Sequence, residues 1–214
     1  MATPELGLRE RKKQQTREAI ADTALRLFTE RGFDAVPVAE VAREANVSEA
    51  TVFNYFPTKE DLVYHRLEAF ETELLDAIRD RPAGEAALAA FGRFVLEPRG
   101  YLATKEPDER FLAIPRMIEQ SPALLARERQ IFERFTLALA ALLAEETGAR
   151  PDAIEPRVAA EALIGVHRAL VGYARREMLA GRGPQALGRD VRERGRRAVA
   201  LLEGGLGGYA VKRG

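Results

Sequence analysis

Residues 46–63 read NVSEATVFNYFPTKEDLV, and the local chemistry of this stretch decides the fold. Ser48 is a strong helix N-cap, because its hydroxyl can accept from the free amides near Ala50 and Thr51. Pro57 disfavours helical geometry at Phe56, so the helix that Ser48 opens ends after about seven or eight residues. Thr58 then caps a further helix, with Asp61 three places later in capping-box spacing. A helix of about two turns is not stable alone in water and has to be held by packing. Its neighbours must therefore carry apolar faces that fit it.

Both sides supply them. Residues 9–31 place Ile20, Ala24, Leu27 and Phe28 on one face, and Gly32 ends that helix. A second helix near 38–45 uses Val38, Val41, Ala42 and Ala45, and Asn46-Val47-Ser48 makes the tight turn to the third. The turn residue wants a left-handed backbone, which asparagine tolerates better than most residues. Val47 and Val52 can plug the crossing of the two short helices. The result is a helix-turn-helix arrangement, with Glu49, Ala50, Thr51, Phe53, Asn54 and Tyr55 left to face outward.

Beyond it the spacing predicts a fourth helix to about Asp80 on Val63, Leu67, Phe70, Leu74 and Ile78, broken by Arg81-Pro82-Ala83-Gly84. Longer helices follow over roughly 85–96, 107–119, 122–147, 152–180 and 184–203, punctuated by Pro and Gly. No stretch alternates apolar and polar residues in the manner of a strand, so the class is all-α, with about nine helices. The expected organisation is a DNA-binding domain over 1–62, an effector-binding and dimerisation domain over 63–203, and a frayed tail over 204–214.

Composition narrows the partners. The chain has 214 residues, 33 bases balanced by 33 acids, and no cysteine. Disulfides and thiolate zinc sites are excluded, and no metal or cofactor is implied. Any attraction to nucleic acid has to come from a local patch, because the whole molecule supplies no net field. With no apolar run of membrane-spanning length and charges at the N-terminus, a cytoplasmic protein without membrane contact is expected. The patch exists: Arg9, Arg11, Lys12, Lys13 and Arg17 cluster before the first apolar turn, with Glu10 between them. They form either a basic arm for phosphates or a minor groove, or a solvated helix end.

A helix the length of the third fits a major groove, and short polar side chains near its N-terminal end reach base edges. Asn54 offers a donor and an acceptor together, which suits adenine. Thr51 can meet a phosphate or a thymine methyl, or only satisfy the helix end. Phe53 packs either on thymine methyls or in the core. Tyr55 and Lys59 are placed for phosphate, and Ala50 keeps the helix close. Glu49 is a cytosine reader or, more simply, a partner of the helix dipole.

The residues Ala24, Leu27-Phe28, Gly32-Phe33, Val38, Val41-Ala42, Ala45, Val47-Ser48, Thr51, Tyr55-Phe56 and Lys59-Glu60-Asp61-Leu62 resemble the N-terminal signature of the tetracycline-repressor (TetR) family of bacterial transcription regulators. The resemblance spans about residues 16–63. It implies a homodimer on a palindromic operator in double-stranded DNA, usually repressing until a small-molecule effector enters the C-terminal half and moves the fourth helix. Arg17, Ser48, Glu49, Ala50, Thr51, Phe53, Asn54, Tyr55 and Lys59 are the expected DNA-facing set. Pro37, Asn46, Ala50 and Phe53 depart from the family pattern, which has threonine, glycine, glycine and tyrosine at those places.

In the C-terminal half two adjacent stripes of residues 152–180 are apolar: Ala159, Leu163, Val166, Leu170 and Tyr173, and Ala160, Ile164, His167, Val171, Ala174 and Met178. Two stripes suggest two neighbours, one of them a partner subunit. Ala160, Ile164, Val171, Ala174, Met178, Leu187, Val191 and Leu202 are the expected dimer contacts. Phe91, Phe94, Tyr101, Phe111, Phe132, Phe135 and His167 are candidates to line an effector pocket, although plain core is the commoner fate of such aromatics. His65 and His167 lie far apart and no nucleophile or phosphate-loop motif accompanies them, so catalysis has little support. The competing reading is a helical ligand-binding or scaffold protein that no longer binds DNA.

Overall fold

The computed structural model describes residues 7–104 and 110–212. Among them nine α-helices run in the order α1 (Leu8–Arg31), α2 (Val38–Glu44), α3 (Glu49–Tyr55), α4 (His65–Arg79), α5 (Ala87–Val95), α6 (Arg110–Gln120), α7 (Pro122–Thr147), α8 (Glu155–Leu179) and α9 (Pro184–Leu206). The only extended pairing among these residues is one antiparallel bridge, Ala86 to Val211.

Helix α1 carries the N-terminal unit. Ile20, Ala21, Ala24, Leu27 and Phe28 are buried on one side of it, against Val41 and Ala42 of α2 and Val52 of α3. Gly32 ends α1 at φ 90°, its N–H donating to Phe28 O, and the chain turns so that Phe33 meets Phe28 edge-on at 5.1 Å. Asn46 adopts the left-handed backbone expected of it, at φ 55°. Pro37 stands at the cap of α2 rather than within it, and its carbonyl accepts from the N–H groups of Glu40 and Val41. The basic cluster lies on the first turns of α1, so Arg9 to Arg17 are helical and not an extended arm, with Arg9, Lys13 and Arg17 on one side.

After α3 the Thr58–Asp61 pair caps a 3-10 turn over Glu60–Leu62, and α4 begins only at His65. The expected Thr58–Asp61 capping bonds form, and they close a separate 3-10 turn ahead of α4 rather than its first turn. The C-terminal helices pack as layers, α7 on α8 and α8 on α9, with α5 and α6 closing the ends. Gly195 of α9 lies so close to Leu96 and Leu170 that a Cβ there would collide with Leu96.

The chain end departs from expectation. Residues 204–206 continue α9, and the segment to Lys212 docks instead of fraying. Arg81 organises it: its fully buried guanidinium donates to Glu146 at 3.0 and 2.6 Å, to Ala210 O at 2.6 Å and to Glu85 O at 3.0 Å. Gly84 N–H donates to Lys212 O, and Lys212 N–H to Glu85 O. Breaking a buried ion pair by removing one partner costs about 3–5 kcal/mol. Arg81→Ala should lose stability of that order in urea unfolding, and amide exchange near Ala210 should accelerate together with it.

Candidate nucleic-acid interface and interdomain cleft

Helix α3 is held by its apolar side and its cap. Val52 and Phe56 are buried, each contributing about 1.5–3 kcal/mol, which outweighs the roughly 1 kcal/mol of an N-cap. The cap is nonetheless formed: Ser48 Oγ accepts from Thr51 N–H at 3.1 Å and lies 2.8 Å from Thr51 Oγ1. With that side pinned, Glu49, Ala50, Phe53 and Asn54 share the exposed side, Phe53 being 45 % exposed. Thr51 and Tyr55 are half-buried, and Tyr55 packs on the core.

One expected phosphate contact is placed differently. Lys59 turns inward: its Nζ donates to Phe33 O at 2.5 Å and sits over the Phe33 and Phe28 rings at 4.3 and 5.5 Å. Burial lowers its pKa against the pull of Asp34 and Glu60. The ammonium ties the loop after α1 to the turn after α3, which removes it from the phosphate set. Arg17 lies over the Phe56 ring at 4.9 Å, joining α1 to the end of α3. Arg9, Arg11, Lys12 and Lys13 are exposed on α1.

Behind α3 the two halves are bolted together. Asp61 accepts from Thr58 N–H and Oγ1 at 3.0 and 2.8 Å and from Arg127 of α7 at 2.8 and 2.7 Å. Nearby, Tyr64 donates to Leu124 O at 3.0 Å. Burial first, and the Glu128 charge second, push the Tyr64 phenol up. Sequence reading assigned Asp61 only its capping role, because nothing in local spacing points to an arginine 66 residues away.

The aromatic residues expected around an effector fill the core instead. Phe91, Phe94, Phe132 and Phe135 are buried, while the side chains of Tyr101 and Phe111 lie outside the described residues. His167 is buried, stacked on Phe70 at 4.6 Å and edge-on to Phe132 at 5.8 Å, and Nε2 has no hydrogen-bond partner among the described residues. Burial, with Arg99 adding repulsion, lowers its pKa to about 4. The open space lies elsewhere, in a cleft of about 910 Å³ between α1 and the helices α4, α6, α7 and α8. Arg175 of α8 lines it, and it is no surface residue: its side chain is 10 % exposed and paired with Glu128 and Glu119. Burial opposes the cation and the Glu128 carboxylate outweighs that, leaving its pKa raised.

The expected dimer contacts also turn inward. Ala160, Ile164, Met178, Leu187 and Val191 are buried within the protomer, and Val171, Ala174 and Leu202 pack half-buried against its core. The face of α8 left open instead runs Val158, Ala162, Gly165, Ala169, Gly172 at helical spacing. A Cβ at Gly165 would meet nothing within 4 Å, so no contact inside the protomer requires the glycine. Leu201 on α9 is 84 % exposed.

Burial of neutral His167 has a defined pH signature. The unfolded ring takes a proton near pH 6.5 and the folded ring only near pH 4, so the unfolded state binds more protons between these values. Stability should fall as pH is lowered through that window, by roughly 2 kcal/mol between pH 7 and pH 5, at about 1.4 kcal/mol per unit. His65, whose pKa burial also lowers, works in the same direction. Urea unfolding across this range should show the slope, and His167→Phe should remove most of it.

Comparison with known proteins agrees with this architecture. TcmR, an HTH-type transcriptional regulator of Streptomyces glaucescens, is 30% identical over 146 residues, 66% of this chain, and the chain spans 65% of that relative's length. MftR of Mycobacterium tuberculosis is 27% identical over 163 residues, 73% of this chain and 78% of its own. Among solved structures the fold is shared with NalD, the secondary repressor of the MexAB-OprM multidrug efflux pump in Pseudomonas aeruginosa (TM-score 0.54, 22% identity, 86% of this chain and 97% of that one). It is shared as well with Salmonella enterica GusR (TM-score 0.51, 17% identity, 90% and 96%). Residues 20–65 match the bacterial regulatory proteins of the tetR family, and residues 86–202, more than half of the chain, match the MftR C-terminal domain. The chain belongs to the tetR family of bacterial regulatory proteins.

Proposed function

We propose that the protein is a transcriptional repressor that binds a palindromic operator as a homodimer and is released from it by a small-molecule effector. The observation that carries this reading is the division of α3: Val52 and Phe56 bury one side, while Glu49, Ala50, Phe53 and Asn54 stand together on the other. A seven-residue helix that kept such a surface for no partner would gain nothing from exposing Phe53. In this reading Asn54 reads a base edge, Phe53 packs on thymine methyls, and Ala50 lets the helix approach. Ser48, Thr51 and Tyr55 support the backbone contacts, with Glu49 at the positive end of the helix. Arg17 and the exposed bases of α1 face phosphate; Lys59 holds the fold.

Two copies are needed to set the spacing, since half-sites lie roughly 34 Å apart for adjacent turns of the duplex. The open stripe from Val158 to Gly172 with exposed Leu201 supports α8 and α9 as the joining surface. Small residues let two helices approach closely, and a side chain added at Gly165 would meet nothing in the protomer. The effector acts by linkage: it shifts the dimer only by its difference in affinity between the DNA-matched and unmatched shapes.

Selection of duplexes from a random pool by the purified protein is the direct test. A two-fold symmetric motif is expected, and no enrichment by an intact dimer overturns the reading. On the selected operator Asn54→Ala should cost about 1–3 kcal/mol and relax preference at one base per half-site. Lys59→Met should leave the dependence of affinity on salt unchanged, because a residue that touches no phosphate releases no counterion. Gly165→Arg should give a folded protomer by light scattering, with operator affinity lost alongside the dimer.

A further inference from the structure

The cleft of about 910 Å³ is bounded on one side by α1, through Leu25 and Thr29, and on the other by α4, α6 and α8, through Leu67, Ile114, Ile118 and Val171. Its size is that of a site for a drug-sized ligand. Helix α2 packs on the same α1 that forms one wall and α3 packs on α2, so anything seated here touches the DNA-reading unit and the C-terminal helices at once.

The inner polar groups, Arg175, Glu128, Tyr64 and His65, are already engaged, and the exposed Asp22 and Arg66 set one acid and one base at the rim. Arg175 is held by Glu128 and Glu119, the latter at 3.4 Å. Tyr64 donates to Leu124 O, and His65 Nδ1 lies 3.2 Å from Leu62 O. Of the charged groups that α1 places at the mouth, Arg26 and Glu30 face each other at 3.4 Å. A charged ligand would surrender its hydration here and find each inner partner engaged, which is costly. An uncharged apolar ligand would bury its surface against aliphatic walls and disturb none of these pairs.

We propose that this cleft is the effector site and that it takes a neutral, predominantly apolar small molecule, which acts as a wedge between α1 and the C-terminal helices. The assignment rests on the repressor reading above for its consequence, and on the cleft itself for its chemistry. Seated between the two walls, the ligand sets the separation of α1 from α6 and α8. The Asp61–Arg127 and Tyr64–Leu124 contacts hold the start of α4 to α7, so a change at the wall is passed to α3 as a rotation about that fixed joint.

The test uses two dyes that share an anilinonaphthalene skeleton: neutral N-phenyl-1-naphthylamine and anionic 8-anilinonaphthalene-1-sulfonate. The neutral dye should bind the full-length protein at least tenfold more tightly than the anionic one. Two tryptophans that fill the cleft from opposite walls, Thr29→Trp at an exposed position and Val171→Trp, should each weaken the neutral dye tenfold or more, with helical content checked by circular dichroism. Saturating neutral dye should release the selected operator from the parent protein and not from either variant. Tighter binding of the anionic dye, no binding of the neutral one, or neutral binding unchanged in both variants overturns the proposal. So does cleft binding that leaves operator affinity unaltered. Absence of any selected duplex sinks the repressor reading and the effector role with it, while the two dye titrations still decide the chemistry of the cleft.

Discussion

The Asp61 carboxylate is the joint on which the two halves of the molecule meet. It sits buried within the 3-10 turn that follows α3, where an unanswered charge would be expensive. Thr58 answers it locally through its N–H and hydroxyl, and Arg127 answers it from α7. The geometry of the turn is therefore fixed at once by a neighbour three residues away and by a helix of the other half. Helix α4 starts after this turn, and the ion pair ties the DNA-reading unit to the helices that carry the cleft.

Where a ligand can enter follows from how the aromatic residues are used. Phe70, Phe132, Phe135 and His167 stack or meet edge-on, and Arg99 covers Phe70 and Phe94 at 5.8 and 3.9 Å. A region packed in this way has little space left, since protein interiors approach crystal density. The space appears instead where α1 meets the C-terminal helices, lined by aliphatic side chains with charges paired at its inner end. His167 is then a core residue that stays neutral, which makes the fold, more than the site, sensitive to acid.

The same redistribution governs the surface of α8. Three faces of one helix have three fates: two apolar stripes pack within the protomer, and a third of small residues stays open. An apolar stripe on a sequence does not say which neighbour covers it. Leu163 and Ile164 are both buried by the protomer itself, and it is Gly165, with no side chain to bury, that marks the unoccupied face.

The sequence by itself determined the elements and their order, because those are set by local chemistry: the Ser48 cap, the left-handed Asn46, the Pro57 stop, and the helical spacing that buries Ile20, Leu27 and Val52. It located the outward side of α3 in part, with Glu49, Ala50 and Asn54 on it, but left Phe53 open between core and surface and set the half-buried Thr51 and Tyr55 outside. Only the tertiary structure decided the partners of residues that can serve in two ways. Lys59 was as fit for phosphate as for the Phe33 carbonyl, Arg175 as fit for solvent as for Glu128, and the tail after 203 as fit to fray as to dock on Arg81. In each case the winning partner is remote in sequence, and the energy that selects it, desolvation of a charge against its neutralisation, exists only once the chain has closed around it.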